Sequence, residues 1–149
     1  MKPKAVIFDI DGVLAEKSPE RDYREYDKVD LDKPIQQGFE LLNYYYNSKK
    51  YELLFISGRK ELCREKTIEF IDEKIFMLSE IKTLYYNLFM RANADHRPGY
   101  KLKKEIYEKH IKDKYDVVAV FDDDKECCRM FKEQGLFVFQ VGTQDDFCL

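Results

Sequence analysis

The chain has 149 residues, with 26 basic and 29 acidic side chains and a net charge of −3. A chain of this length supports one hydrophobic core, so we expect a single domain over residues 1–149. The acidic balance argues against a protein that coats nucleic acid through a generally basic surface, but it is compatible with a local basic groove. The eleven phenylalanines and eleven tyrosines argue against an intrinsically disordered chain.

Apolar runs and cysteines indicate the compartment. No apolar run approaches the ~20 residues that cross a bilayer, and the run over residues 5–8 is too short for a secretory signal. The four cysteines form no CxxC pair and have no histidine at zinc-binding spacing. Adjacent Cys127 and Cys128 are typical of reduced thiols in a core. We therefore expect a cytoplasmic protein without membrane association.

The first half of the chain predicts two strands around one helix. Residues 4–9 are an apolar run that ends in an acid, which is typical of a buried parallel strand. A polar stretch over 16–33 follows, and Pro34 suits the first turn of a helix because its missing N–H would have no partner there. A second strand covers 51–57 and is broken by Gly58. The helix residues predicted to face inward are Ile35, Phe39, Leu42 and Tyr46.

The second half continues the alternation of helices and strands. A helix is predicted over 60–72, and its inward residues are Leu62, Ile71 and either Thr67 or Ile68. The remaining predicted elements are a turn and short helix over 73–85, a strand over 88–90, a loop over 95–99, a helix over 100–112, a strand over 117–121, a helix over 125–134 and a strand over 136–141. Asp124 is expected to cap the last helix.

This alternation predicts an α/β fold with a Rossmann-like, five-stranded parallel sheet and helices on both faces. In such sheets ligands bind beyond the carboxyl ends of the strands. The residues expected at that edge are Asp9, Asp11, Ser57, Arg59, Arg91, Asp122 and Asp123. Clustered carboxylates repel one another unless a hard cation lies among them, which indicates Mg²⁺.

The strongest local motif is the acid pair Asp9 and Asp11, which follows the first strand and precedes Gly12. Both acids face one crevice if the chain turns immediately, and glycine permits that turn. An EF-hand calcium loop is the competing motif, but Val13 and Leu14 occupy positions that require an oxygen ligand and a glycine. A solvated acidic turn is the alternative without function.

Four segments together resemble a known family. They are Phe-Asp-Ile-Asp-Gly-Val over 8–13, Phe-Ile-Ser-Gly-Arg over 55–59, Lys103, and Phe-Asp-Asp over 121–123. In this order they resemble motifs I to IV of the haloacid-dehalogenase-like (HAD) phosphatases. Lys101 and Lys104 compete with Lys103 for the third motif, although the Lys-x-Glu-Ile context favours Lys103.

Within that superfamily the chain most resembles the 3′-phosphatase domain of phage polynucleotide kinase-phosphatases. The segments that carry this resemblance are 2–9, 32–34, 57–59, 90–91, 95–98, 103–106 and 109–111. The resemblance is weakest over 14–28 and 60–85. The phosphate-binding motif GxxxxGK[ST] of the kinase is missing from these 149 residues.

The resemblance implies a role for each site residue. Asp9 would be the nucleophile and Asp11 the general acid and base, while Ser57 and Lys103 would contact the phosphoryl group. Mg²⁺ would be held by Asp9, the Asp11 carbonyl and Asp123. The implied catalytic residues are thus Asp9, Asp11, Ser57, Lys103 and Asp122, the last supporting Asp123. The implied substrate-binding residues are Ser57, Gly58, Arg59, Arg91 and Arg97.

Several residues keep two interpretations. Asp95 is expected to hold one of the arginines, and His96 and His110 are expected to be structural or exposed. The three tyrosines that either stack on bases or pack in the core are Tyr23, Tyr26 and Tyr100.

The resemblance implies a Mg²⁺-dependent phosphomonoesterase that removes 3′-phosphates from DNA or RNA ends. The short intervals between motifs leave no room for a large cap domain, which favours a polymer end. A nucleotidase for free nucleoside monophosphates is the alternative enzyme, and a non-catalytic module that binds nucleic acid or protein is the alternative of another class. A kinase or ligase acting in trans is the expected partner, and the similarity to a phage enzyme favours a phage origin, in a host cytoplasm.

Overall fold

The computed structural model describes residues 1–75 and 87–142. In that part of the chain, five parallel strands form the main sheet: β1 (Lys4–Phe8), β4 (Glu52–Lys60), β5 (Leu88–Arg91), β6 (Asp116–Asp122) and β7 (Val138–Gln140). Their order across the sheet is β5-β4-β1-β6-β7. Two short strands, β2 (Ala15–Glu16) and β3 (Lys33–Pro34), form a separate antiparallel pair. The predicted α/β fold with a five-stranded parallel sheet is confirmed.

Helices connect these strands. The α-helices are α1 (Gln36–Ser48), α2 (Arg64–Ile75), α3 (Gly99–Ile106) and α4 (Lys125–Glu133). A π-helical turn, Tyr107–Ile111, continues α3, and 3₁₀ turns cover Tyr26–Leu31 and Glu61–Cys63. Asp124 caps α4 as predicted, because its carboxylate accepts the Cys127 N–H at 2.8 Å.

Strand β1 separates two hydrophobic cores. Because side chains alternate along a strand, Val6 and Phe8 face one core while Ala5 and Ile7 face the other. The first core includes residues of α1 and α2, and the second includes residues of α3 and α4. A strand buried on both faces needs an apolar run rather than alternation, which is the pattern of residues 5–8.

The sheet register brings the strand ends together. Phe8 of β1 pairs with Phe55 of β4 and with Phe121 of β6. The residues that follow these three positions therefore emerge at the same edge of the sheet. That edge carries Asp9 and Asp122, in agreement with the prediction from strand order.

Two predicted boundaries are wrong around α1 and β4. Pro34 lies in β3, where it pairs with Ala15, and α1 begins only at Gln36. Strand β4 also continues through Gly58 to Lys60, with an irregular register toward β5. A glycine is tolerated at such an irregularity because no side chain obstructs the bend.

The helix predicted over 60–72 begins later than expected. A 3₁₀ turn occupies Glu61–Cys63, so Leu62 is 56% exposed while Cys63 is buried. Ile71 is buried as predicted, and Thr67 and Ile68, of which one was predicted to face inward, are both buried. The turn and short helix predicted over 73–85 fall mainly outside the described residues, apart from the end of α2. Among residues 1–75 and 87–142, no helix is long and apolar enough to cross a membrane.

The described cysteines are buried free thiols, as predicted for Cys127 and Cys128. Burial raises the pKa of Cys128 to about 12, so its sulfur stays protonated and unreactive at neutral pH. The same cause raises the pKa of Cys127 further. These thiols therefore act as packing groups.

Gly38 is a point of close approach between α1 and the loop after β1. A Cβ at this position would lie 1.8 Å from the Val13 carbonyl oxygen, which is a backbone atom that cannot rotate away. We expect Gly38→Ala to lower the free energy of unfolding by about 1–3 kcal/mol through overpacking, measured by urea denaturation. Glu40→Ala, at an exposed position of the same helix, should change it very little. Equal stability of the two variants would contradict this close approach.

Candidate active site

A buried ammonium lies between two buried carboxylates at the edge of the sheet. Lys103 of α3 places its Nζ 3.0 Å from Asp9 Oδ1 and 2.6 Å from Asp122 Oδ2. The two carboxylates follow or end neighbouring strands, and all three side chains are at most 8% exposed. Lys101 and Lys104 are exposed, so only Lys103 of the three competing lysines reaches Asp9.

Burial and charge act in opposite directions on this cluster. Burial raises the pKa of Asp9 well above its ordinary value, Asp122 raises it further, and Lys103 opposes both. Burial alone would lower the pKa of Lys103, but Asp9 and Asp122 together raise it well above the ordinary value. The lysine therefore remains charged. Its single positive charge cannot offset both carboxylates when both are ionised.

Asp123 adds a third carboxylate beside them. Oxygens of Asp9, Asp122 and Asp123 all lie within 4.8 Å of one another. Gly12, with φ of +81°, makes this approach feasible, because a Cβ there would lie 2.0 Å from Asp123 Oδ2. A larger residue at position 12 would displace the Asp123 carboxylate, and the left-handed backbone also favours glycine.

The donor set fits a hard divalent cation. Three carboxyl groups share one ammonium, so full ionisation would leave two negative charges uncompensated, and oxygen is the ligand atom that Mg²⁺ prefers. Asp122 is already engaged through both oxygens, since Oδ2 accepts Lys103 and Oδ1 accepts the Asp124 N–H at 3.0 Å. Asp9 and the more exposed Asp123 are therefore the carboxylates best placed to bind a metal.

The second acid of the motif is held by an arginine of β4. Arg59 is 2% exposed, and its Nε and Nη2 donate to the Asp11 carboxylate at 2.7–3.2 Å. The Asp11 side chain remains 40% exposed. This bidentate pair fixes the direction of Asp11 while one side of the carboxylate stays accessible.

Asp32 joins that arginine to a second one. It accepts Arg59 Nη2 at 2.8 Å and binds Arg21 through two hydrogen bonds of 2.7 Å. The Asp32 side chain is fully buried, and it also accepts the Ser18 N–H at 2.9 Å. Ionic contacts thereby connect the loop after β2 to β4 and to Asp11.

A cavity of about 390 Å³ opens at this edge of the sheet. The predicted site residues that line it are Asp9, Asp11, Gly58, Arg59, Arg91, Lys103 and Asp123. The three tyrosines with two interpretations, Tyr23, Tyr26 and Tyr100, also line it. The structure therefore brings most of the predicted residues to one opening.

Two predicted substrate-binding residues do not line the cavity. Ser57 is fully buried, and its Oγ accepts the Arg59 N–H at 3.1 Å. Arg97 forms a bidentate pair with Asp95, as expected for one of the arginines, and also contacts Glu105. The pair with Arg97 lowers the pKa of Asp95 to about 2.

Arg91 combines a structural contact with a place in the cavity wall. Its Nε donates to the Gly58 carbonyl at 2.9 Å, and its Nη1 donates to the Arg97 carbonyl. It therefore joins the end of β4 to the loop after β5. His110 stacks on Phe89 with ring centroids 5.5 Å apart, which agrees with the expected structural role.

Sequence reasoning did not identify Arg21 as a site residue, and it gave no role to Asp32. Both lie at the ends of the polar stretch between β2 and α1, where no hydrophobic period predicts a structure. Arg59 also donates to Thr67 of α2 at 3.1 Å, a residue that was considered only for an inward position on its helix. The stretch over 16–33 contains two arginines and four aspartates, so its sequence does not specify which of them pair.

Comparison with known proteins assigns the family. Residues 3–147 match the model of the polynucleotide kinase PNKP phosphatase domain, a HAD family. The chain belongs to this phosphatase-domain family. A protein of Autographa californica nuclear polyhedrosis virus, described as a bifunctional polynucleotide kinase/RNA ligase, is 34% identical over 131 residues. The match covers 88% of this chain but only 18% of the viral protein.

Solved structures agree with this assignment. A chain of the Pnkp1/Rnl/Hen1 RNA repair complex superposes with a TM-score of 0.80 at 29% identity, over 97% of this chain and 44% of that chain. The class C acid phosphatase from Bacillus anthracis gives 0.64 at 16% identity, over 95% of this chain and 69% of that chain, and supports the fold alone. The chain thus spans less than half of the polynucleotide-processing relatives, and its fold is that of HAD phosphatases. The resemblance drawn from the motifs is confirmed.

Asp32 should be essential for stability because it neutralises two buried arginines. We expect Asp32→Ala to lower the free energy of unfolding by about 3–5 kcal/mol, measured by urea denaturation, since it leaves Arg21 without its carboxylate. Asp30→Ala is the matched control, because Asp30 forms an exposed ion pair with Lys66 and its loss should matter little. Similar effects of both substitutions would contradict the importance of the buried network.

Proposed function

We propose that this phosphatase domain removes 3′-phosphates from the ends of DNA or RNA with the help of Mg²⁺. The observation that carries the proposal is a buried carboxylate and a half-exposed carboxylate, Asp9 and Asp11, at the opening of one cavity. One acid is placed to attack and the other to exchange protons with solvent or substrate. Family membership supports phosphoryl chemistry at this pair.

The reaction proceeds in two displacements. A carboxylate oxygen of Asp9 attacks phosphorus, the bond from phosphorus to the 3′-oxygen breaks, and Asp11 gives its proton to that oxygen. Water then attacks the aspartyl-phosphate, Asp11 takes a proton from this water, and the bond from phosphorus to Asp9 breaks. Inorganic phosphate leaves, and both carboxylates return to their initial states.

The surrounding residues support these displacements. Lys103 orients Asp9 and offers positive charge to the phosphoryl oxygens, while Asp122 holds Lys103 in place. Asp9, Asp123 and the Asp11 carbonyl are proposed to hold Mg²⁺, which neutralises phosphoryl oxygens when bound. Contact of Ser57 with the phosphoryl group stays a prediction, because its hydroxyl is buried outside the cavity lining and accepts the Arg59 N–H.

The open cavity is better suited to the end of a polymer than to a small metabolite. Between β1 and β4 the chain forms only β2, β3, a 3₁₀ turn and α1, and one face of α1 packs on the core through Phe39 and Leu42. These elements add no separate cap domain, so the described part of the chain leaves the cavity open. The polynucleotide kinase/RNA ligase activity named for the viral relative favours a nucleic-acid end over a free nucleotide.

The same comparisons support a partner in trans. The viral relative combines a polynucleotide kinase and an RNA ligase in one protein, and the structural relative occurs in a complex with Rnl and Hen1. The product of 3′-phosphate removal is a 3′-hydroxyl, which a ligase joins to a 5′-phosphate. We propose that a kinase or ligase acts on the same ends as this domain.

Phosphate release tests this function directly. Matched oligonucleotides with a 3′- or a 5′-phosphate, together with 3′- and 5′-mononucleotides, are incubated with Mg²⁺ or with EDTA. We expect release only from 3′-phosphates, preferentially on oligonucleotides, and no release in EDTA. Asp9→Asn should reduce the rate on the order of 10⁴-fold or more, because the nucleophile of the covalent route is lost.

Asp113→Asn is the matched control, since Asp113 is an exposed aspartate that does not line the cavity. It should keep the activity of the unchanged protein. Preference for mononucleotides would move the assignment to a nucleotidase. Folded protein that binds oligonucleotide and releases phosphate from none of the substrates would favour the non-catalytic module.

A further inference from the structure

Tyr23 presents an unpaired aromatic ring at the cavity. Its side chain lines the opening together with Asp9 and Asp11, yet the residue is 69% exposed. Within residues 1–75 and 87–142, this ring stacks on no other ring, whereas the equally exposed Tyr44 packs against Tyr45 with centroids 5.5 Å apart. A large apolar surface without a partner, at the entrance of a site, is typical of ligand contact.

The segment that carries Tyr23 is held firmly. Lys17 Nζ donates to the Ser18 carbonyl at 3.0 Å and to the Arg21 carbonyl at 2.8 Å. Arg21, two residues before the tyrosine, is buried in the bidentate pair with Asp32. The ring is therefore attached to a fixed backbone, which lowers the entropy that binding would cost.

The neighbouring tyrosines differ from Tyr23 in their packing. Tyr26 packs against the first hydrophobic core and Tyr100 against the second, so both rings are partly buried. Burial accordingly raises the pKa of Tyr26. These two rings form apolar walls of the cavity, and Tyr23 is the tyrosine whose surface is most available to a ligand.

We propose that Tyr23 stacks on the base of the nucleotide that carries the 3′-phosphate. This inference rests on the proposed function, because it requires the phosphorus of a nucleic-acid end to lie at Asp9. A base is the large planar group nearest to that phosphorus, and every base offers a π-face of similar area. The contact therefore selects nucleic-acid ends over other phosphate monoesters without selecting a sequence.

A cycle of enzyme and substrate changes tests this contact. The substrates are a 3′-phosphorylated oligonucleotide and the same oligonucleotide with an abasic sugar at the 3′ terminus, which keeps sugar, charge and phosphate. Stacking on an aromatic side chain implies that base removal lowers kcat/KM of the unchanged enzyme by about 5- to 150-fold, mainly through KM. Tyr23→Ala should show the same loss on the normal substrate and almost no further loss on the abasic one.

Two further variants control the cycle. Tyr23→Phe should restore the dependence on the base, because the ring is kept and only the hydroxyl is lost. Tyr44→Ala removes an equally exposed tyrosine on α1, outside the cavity lining, and should behave like the unchanged enzyme. Tyr23 is exposed, so its replacement should leave thermal unfolding unchanged.

The outcomes separate this inference from the proposed function. If base removal costs the unchanged enzyme and Tyr23→Ala equally, the stacking contact is overturned while 3′-phosphatase activity stands. The stacking contact is also overturned if Tyr23→Ala keeps the dependence of kcat/KM on the base, or if Tyr23→Phe loses that dependence. If the unchanged enzyme releases phosphate from no 3′-phosphorylated oligonucleotide, the proposed function fails and the stacking contact fails with it.

Discussion

The buried ammonium of Lys103 is the contact on which the site depends. It lies within 3.0 Å of carboxylates from the ends of β1 and β6, and it reaches them from α3. Removing such a charge from water is costly, and only two close carboxylates offset that cost. Helix α3 must therefore pack on the sheet at one height, because a shift by one turn would bury Lys103 without partners. The second hydrophobic core, with Leu102 and Ile106 beside Lys103, fixes that height.

A second ionic chain organises the opposite side of the cavity. Arg59 is shared by Asp11 and Asp32, and Asp32 is shared by Arg59 and Arg21. These charges alternate in sign, so each group has a partner even though three of the four side chains are almost fully buried. The loop between β2 and β3 contributes only Val29 as a nearly fully buried apolar residue among its described positions, so ion pairs supplement its small apolar contact with the first hydrophobic core.

The sequence predicts the contacts of Lys103 better than the ionic chain that joins Arg59, Asp32 and Arg21. Residues 5–8 and Phe121 lie in uninterrupted apolar runs, and such runs identify β1 and β6, and with them the edge that carries Asp9 and Asp122. Lys103 was favoured over its neighbours by motif context, and the apolar Leu102 and Ile106 explain why its side of α3 is buried. Arg21 and Asp32 could not be paired in advance, because an ion pair leaves no period in a sequence. The start of α1 was missed because Pro34 suits both a helix start and a short edge strand.

Binding and proton transfer share one scaffold in this arrangement. Asp32 fixes Arg59, which directs Asp11, and it also fixes Arg21, two residues from Tyr23. Asp32 would therefore help to position both the base of the substrate, through Arg21 and Tyr23, and the proposed general acid Asp11, through Arg59. Such alignment matters because a displacement of about 1 Å costs on the order of 10²-fold in rate. Burying the charges of Arg21, Asp32 and Arg59 one at a time would be unfavourable, so they are buried as pairs. Because Arg59 is held in this way, the position of Asp11 does not depend on flexible surface contacts.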